Sequence, residues 1–117
     1  MPYTAHWNEL PEVEILKNNF RRSAAGLKGS VSKIKLRHPS ETPVHIHADE
    51  EQTVIMLSGE MDVQIDTETI RLGADQVCII PAGVPHCFRS IEGDAIFFET
   101  FSPGRFQNLI GFLGKVF

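Results

Sequence analysis

The chain has 117 residues, enough for one domain with one core and too few for two. Eleven basic against fifteen acidic residues leave a formal charge of -4, which excludes the basic face that a nucleic-acid partner requires. No run is long and apolar enough to cross a bilayer, and residues 1–10 lack the basic start and apolar stretch of a secretion signal; a cytoplasmic protein without membrane partners is expected.

Residues 1–12 form an N-terminal arm carrying Tyr3, Trp7 and Leu10, and they precede short runs in which apolar and polar residues alternate. That two-residue period between turn residues is the pattern of an all-β sandwich or barrel. It predicts strands over 13–16, 30–37, 44–47, 53–58, 60–65, 68–72, 76–80, 86–90 and 94–101. Turns fall at Ser58-Gly59, Asp66-Thr67, Gly73-Ala74 and Glu92-Gly93. The loop from His38 to Pro43, with two prolines, delivers the chain to the 44–47 strand. Cys78 and Cys87 sit in strand-like segments and read as free, buried thiols. After Arg105, apolar residues from Phe106 to Phe117 recur at three- and four-residue steps, which predicts a short helical tail over 105–117, weakened by Gly111 and Gly114. The expected organisation is thus one domain, 1–117, with a core of about 28–102. The tail's apolar stripe and the outward-facing Ile96 and Phe98 exceed what a small barrel covers alone, so a homodimer is expected, with the N-terminal arm available for exchange.

Chemistry concentrates in two places. His45-Ile46-His47 lies in a predicted strand, where residues two apart share a face, so both imidazoles are presented to one interior while Ile46 points away. Alone, a His-x-His pair is more often a solvated strand pair than a metal site. The third histidine changes that balance: His86 closes Pro81-Ala82-Gly83-Val84-Pro85-His86, a turn leading into another predicted strand. His6 and His38 belong to no motif and are expected at the surface.

These two segments, with Gly59 closing the first, resemble the paired motifs of the cupin superfamily, and the resemblance spans roughly residues 40–90. It implies a small antiparallel double-stranded β-helix, the jelly-roll barrel, holding one divalent metal ion. Where most cupins carry a glutamate ligand this chain has Gln52, so the implied ligand set is His45, His47, Gln52 and His86, with Glu51 as the alternative fourth ligand if the strand bulges. Neutral ligands leave the ion its full charge, which attracts anions and favours Lewis-acid over redox chemistry. Imidazole and amide oxygen suit zinc, nickel, iron and manganese alike.

In the last predicted strand Phe97, Glu99 and Phe101 share a face, followed by Ser102-Pro103-Gly104-Arg105. Glu99 and Arg105 are read either as an ordinary surface pair or as site residues. With the Gln-containing ligand set, this ending is similar to the pectin-degradation protein KdgF family, whose members promote conversion of 4,5-unsaturated uronates to linear ketonised sugars. The resemblance matches Glu99, Phe101 and Arg105 to an acidic residue, a phenylalanine and an arginine of that family's pocket, with glutamate standing where aspartate is expected. It implies an isomerase-type enzyme acting on a small anionic sugar, with Arg105 clamping the substrate carboxylate beside Phe101 and Glu99 moving the proton. The rival classes are a non-haem iron dioxygenase, a sugar isomerase or epimerase, and a non-catalytic metal- or sugar-binding protein.

Overall fold

Residues 30–36, 51–56 and 95–101 alternate at two-residue spacing between more and less buried positions, which turns one face of each run inward. In the computed structural model, which describes residues 4–104, a 3-10 turn at Trp7–Glu9 precedes nine strands. They are β1 (Val13–Leu16), β2 (Asn19–Ala25), β3 (Ser30–Leu36), β4 (Glu51–Ser58), β5 (Met61–Ile65), β6 (Glu68–Leu72), β7 (Val77–Ile80), β8 (His86–Ser90) and β9 (Ala95–Ser102). The predicted tail over 105–117, including Arg105, lies outside the described residues.

All pairings are antiparallel. One sheet runs in the order β1-β2-β3-β9-β4-β7 and the other in the order β6-β5-β8. The two inner faces meet in a core built from Ile34 and Leu36 of β3, Val54 and Met56 of β4, Met61 and Val63 of β5, and Phe88 and Phe97. This is the jelly-roll double-stranded β-helix expected from the sequence. Gly59 turns β4 into β5 at a φ of +77°, and a Cβ there would collide with the carbonyl oxygen of Asp94 in the β8–β9 turn. Glycine is therefore required both by the left-handed backbone and by the close approach.

The segment predicted as a strand over 44–47 joins no ladder; it meets β8 through one isolated bridge, His45 to His86, and a second, Glu41 to Arg89, precedes it. The strand predicted over 13–16 is present as β1, but β2 was not foreseen; it pairs along its full length with β3 and so joins β1 to the larger sheet. The N-terminal arm packs against the barrel: the Trp7 indole stacks on Phe98 with centroids 5.7 Å apart, and Arg22 Nη1 donates to the Leu10 carbonyl at 2.7 Å. Phe98 is thereby partly covered. Apolar residues are exposed instead on the outer face of β4 and the edge strand β7, at Ile55, Leu57, Val77 and Ile79.

The smaller sheet is laced on its outside by one carboxylate. Asp62 on β5 accepts from Arg71 Nε on β6 at 3.1 Å and from Arg89 Nη2 on β8 at 2.8 Å. These two hydrogen bonds hold its carboxyl below the usual range, against the opposing effect of burial. Cys78 and Cys87 are free thiols. Among the described residues no helix is long and apolar enough to cross a membrane.

Candidate metal centre

Four elements converge at one end of the barrel. The 41–47 segment brings His45 and His47, β8 begins with His86, β4 contributes Gln52, and β9 contributes Glu99 and Phe101. The same inward alternation that places Val54 and Met56 in the core puts Gln52 on the inner face of β4, and it does likewise for Glu99 and Phe101 beyond Phe97 on β9. On β4 and β9 the inner lining passes from the apolar Val54, Met56 and Phe97 to the polar Gln52 and Glu99, and the change marks the site.

The ligand atoms of His45, His47 and His86 all lie within 4.8 Å of one another. His86 is buried and its ring centroid is 4.2 Å from that of His45 and 4.9 Å from that of His47. Isolated bridges suffice for this: the His45 and His86 backbones exchange two hydrogen bonds, at 2.9 and 3.0 Å, and Gly83 N–H donates to the His47 carbonyl at 2.8 Å. His45 Nδ1 lies 2.8 Å from the Pro43 carbonyl and His86 Nδ1 lies 2.9 Å from that of Val84. A carbonyl only accepts, so both rings carry their proton on Nδ1 and turn the Nε2 lone pair inward, the orientation that metal-binding imidazoles take. Burial also pushes the His86 pKa down, reinforced by neighbouring His45 against the Val84 hydrogen bond, which favours the neutral ligand form.

Buried polar atoms without a hydrogen-bond partner include His86 Nε2 and Gln52 Oε1, as well as Glu99 Oε1, which has the Arg21 charge beside it. Leaving such atoms orphaned is costly, and a cation would satisfy the first two. The donor set therefore fits a divalent ion, with three imidazole nitrogens and an amide oxygen. Gln52 is buried whereas its neighbour Glu51 is exposed on the outer face of β4, so the oxygen donor that the structure offers is the amide.

Beside the histidines lies a cavity of about 200 Å³ lined by His45, His47, Gln52, Glu99 and Phe101. Phe101 stands edge-on to His47, with centroids 5.2 Å apart. Gln52 Nε2 donates to Glu99 Oε2 at 2.7 Å, and Arg21 Nη2 is 3.2 Å from Glu99 Oε1. Burial raises the Glu99 pKa, opposed by the Arg21 charge and the hydrogen bond from Gln52.

Sequence reasoning missed Arg21, and with it Asn19, which also lines the cavity from β2. Asn19 Oδ1 and Arg21 Nε are buried without hydrogen-bond partners. The signal available was the alternation Asn19, Arg21, Ser23, whose inward residues are polar because they face a cavity. His6 and His38 are exposed, as expected.

Residues 36–101 match the family of cupin domains. Among curated proteins, quercetin 2,3-dioxygenase of Bacillus subtilis (strain 168) is 34% identical over 47 residues, which is 40% of this chain and 14% of that protein. The chain thus corresponds to a small part of that relative's length. Among solved structures, KdgF from Halomonas sp. superposes with a TM-score of 0.82 at 20% identity, covering 87% of this chain and 95% of that one. An RmlC-like cupin from Shewanella frigidimarina gives 0.80 at 23% identity, covering 92% of this chain and 98% of that one. At such identities the superpositions establish the shared fold. With the family match extending over more than half of the sequence and taking in both histidine motifs, the chain belongs to the cupin domain family.

Proposed function

We propose that this cupin is a metal-dependent enzyme that converts 4,5-unsaturated uronates, the sugars released by pectate and alginate lyases, to their linear ketonised forms. The observation that carries this reading is the placement of a three-histidine cluster and a buried Glu99–Arg21 pair on one cavity. At about 200 Å³ the cavity lies below the roughly 300–1,000 Å³ of typical ligand sites, which suits one small molecule such as a single sugar ring. The structural likeness to a KdgF is consistent with this choice of substrate.

His45, His47, His86 and Gln52 would hold a divalent ion, which would supply Lewis-acid polarisation of a substrate oxygen. Ring opening then needs one proton to leave the anomeric hydroxyl as the C1–ring-oxygen bond breaks and its electron pair passes to the ring oxygen, and one proton to arrive at C4 as the resulting C5 enolate becomes a ketone. The reaction is an isomerisation, so a single carrier serves both transfers. Glu99, in the cavity wall, is the residue in place for it. Arg21 supplies the guanidinium at the carboxylate end of the substrate, with its Nε uncommitted, and Asn19 Oδ1 accepts from a sugar hydroxyl. Arg105, just past the described residues, is a second candidate for the carboxylate. Phe101 gives the ring an apolar wall.

Metal-loaded protein incubated with a lyase-generated unsaturated uronate should abolish the ultraviolet absorbance of the conjugated double bond. Persistence of that absorbance rejects the reading. The partial sequence match to a quercetin dioxygenase favours one second reading, oxygen-dependent cleavage of an aromatic substrate at the same histidines, and oxygen uptake with a flavonol distinguishes it.

A further inference from the structure

Gln52 differs from the three histidines in one respect: its shape does not fix which atom it presents. Rotating a carboxamide half a turn about its last bond exchanges oxygen for NH₂ with almost no change in outline. The oxygen has lone pairs for a cation and the NH₂ has none. A site that relies on this side chain therefore needs something to set its polarity.

The structure holds that device. Gln52 Nε2 lies 2.7 Å from Glu99 Oε2, and Gln52 Oε1 is left buried with no hydrogen-bond partner. Glu99 Oε1 faces Arg21 Nη2 at 3.2 Å, and a guanidinium carries donors only. The Arg21 charge beside Oε1 favours the carboxylate form, whose Oε2 can only accept, and only the NH₂ side of the amide satisfies it. Strand register sets the distance: Gln52 pairs with Phe101 and Val54 pairs with Glu99, so Gln52 and Glu99 are diagonal neighbours on the inner face of β4 and β9.

We propose that Glu99 is a positioning residue for the metal centre. It locks the Gln52 amide with its oxygen free for the ion, and it keeps, one hydrogen bond behind the ligand, the negative charge that a carboxylate ligand would have placed on the ion itself. Positions 52 and 99 form one functional unit with a single rule, one amide and one carboxylate. Two carboxylates at this spacing repel each other, and two amides lose the lock. This rests on the metal-centre part of the proposed function and is independent of the substrate.

The test is a double-mutant cycle in zinc affinity, with zinc alone as the probe, measured by competition against a chromogenic chelator. Folding is verified by circular dichroism and thermal melting. Glu99→Gln is expected to weaken zinc binding about tenfold or more, the usual cost of losing a partner behind a ligand. In Gln52→Glu the introduced carboxylate faces Glu99, so this variant should bind zinc less tightly than the swap Gln52→Glu/Glu99→Gln, which restores a donor–acceptor pair. The swap should recover at least the parent's affinity and exceed the product of the two single effects by about tenfold or more. Parent-like zinc binding in Glu99→Gln, or single effects that multiply to the swap's value within about twofold, overturns the proposal. Should Glu99→Gln fail to fold, the swap decides: a folded, zinc-binding swap supports the unit, and a swap that does not fold or bind overturns it. Parent protein that binds no zinc would remove the metal centre itself, a failure distinct from additivity.

Discussion

Arg21 and Glu99 meet at 3.2 Å between β2 and β9, and both side chains are largely withdrawn from solvent. Removing one member of such a pair strands the other in a poorly solvated place. Arg21→Ala should therefore destabilise the fold by about 3 kcal/mol, the usual scale for breaking a buried pair, and should raise the KM for an unsaturated uronate more than for a neutral sugar. Urea denaturation and steady-state kinetics on the two substrates check both halves.

Metal dependence is expected to be complete. One divalent ion per subunit should be found by elemental analysis, a chelator should abolish uronate conversion, and returning a divalent metal should restore it. Changing His47 and His86 together to alanine should reduce the bound metal to background, since two of the three imidazoles would be gone.

Turnover and binding should separate. With saturating metal, Glu99→Gln should lower kcat by about 100-fold or more, the contribution typical of a placed acid–base group, and leave KM within a few-fold. Arg105→Ala should chiefly raise KM by loss of a carboxylate contact. If both variants turn over at the parent's rate, the proton carrier and the anion contact lie elsewhere.

The barrel and its three histidines were legible in the sequence because each rests on a short-range rule. Two-residue alternation marks β3, β4 and β9, and the spacing of His45, His47 and His86 relative to glycine and proline marks the metal motifs. What escaped is what depends on the third dimension. In β2 the residues facing inward are Asn19 and Ser23, with Arg21 between them, so the strand shows none of the apolar alternation on which strand prediction depends. Arg21 was hidden with it, and the sequence reading named Arg105 alone as the cation of the site. The opposite error occurred at 44–47, where alternation does place His45 and His47 on one side, but the segment forms one isolated bridge rather than a ladder. A face pattern reports which way side chains point and says nothing about whether the backbone finds a continuous partner.

A pH dependence follows from Asp62, whose carboxyl is held down by Arg89 and Arg71. Because the unfolded chain takes up the proton at the ordinary carboxylate value, about 3.9, and the folded chain only at lower pH, this contribution to stability is present above that value. It is lost as pH falls through the folded pKa. Asp62→Asn should melt lower than the parent at neutral pH, and the difference should disappear in strong acid. Added salt should shrink it too, since both arginines are more than half exposed.

We also propose a homodimer, now placed on the outer face of β4 and β7. Val77 and Ile79 are 62% and 58% exposed on an edge strand, beside Ile55 and Leu57. An apolar edge of this kind invites pairing with a second copy. Light scattering at micromolar concentration should give twice the subunit mass, and Val77→Lys with Ile79→Lys should give the monomer. A parent protein that is monomeric removes the proposal.

Two of the three imidazoles ride on a segment joined to the barrel by isolated bridges, and the third begins a strand in full ladder contact with β5. An ion held by all three would fasten that segment to the barrel wall in the way a clasp closes a strap. Loading and rigidity would then be one event. The stretch from Thr42 to His47, which forms the rim of the cavity, would be firm only in the protein able to react, and a substrate would meet a finished binding wall only where the metal had arrived first.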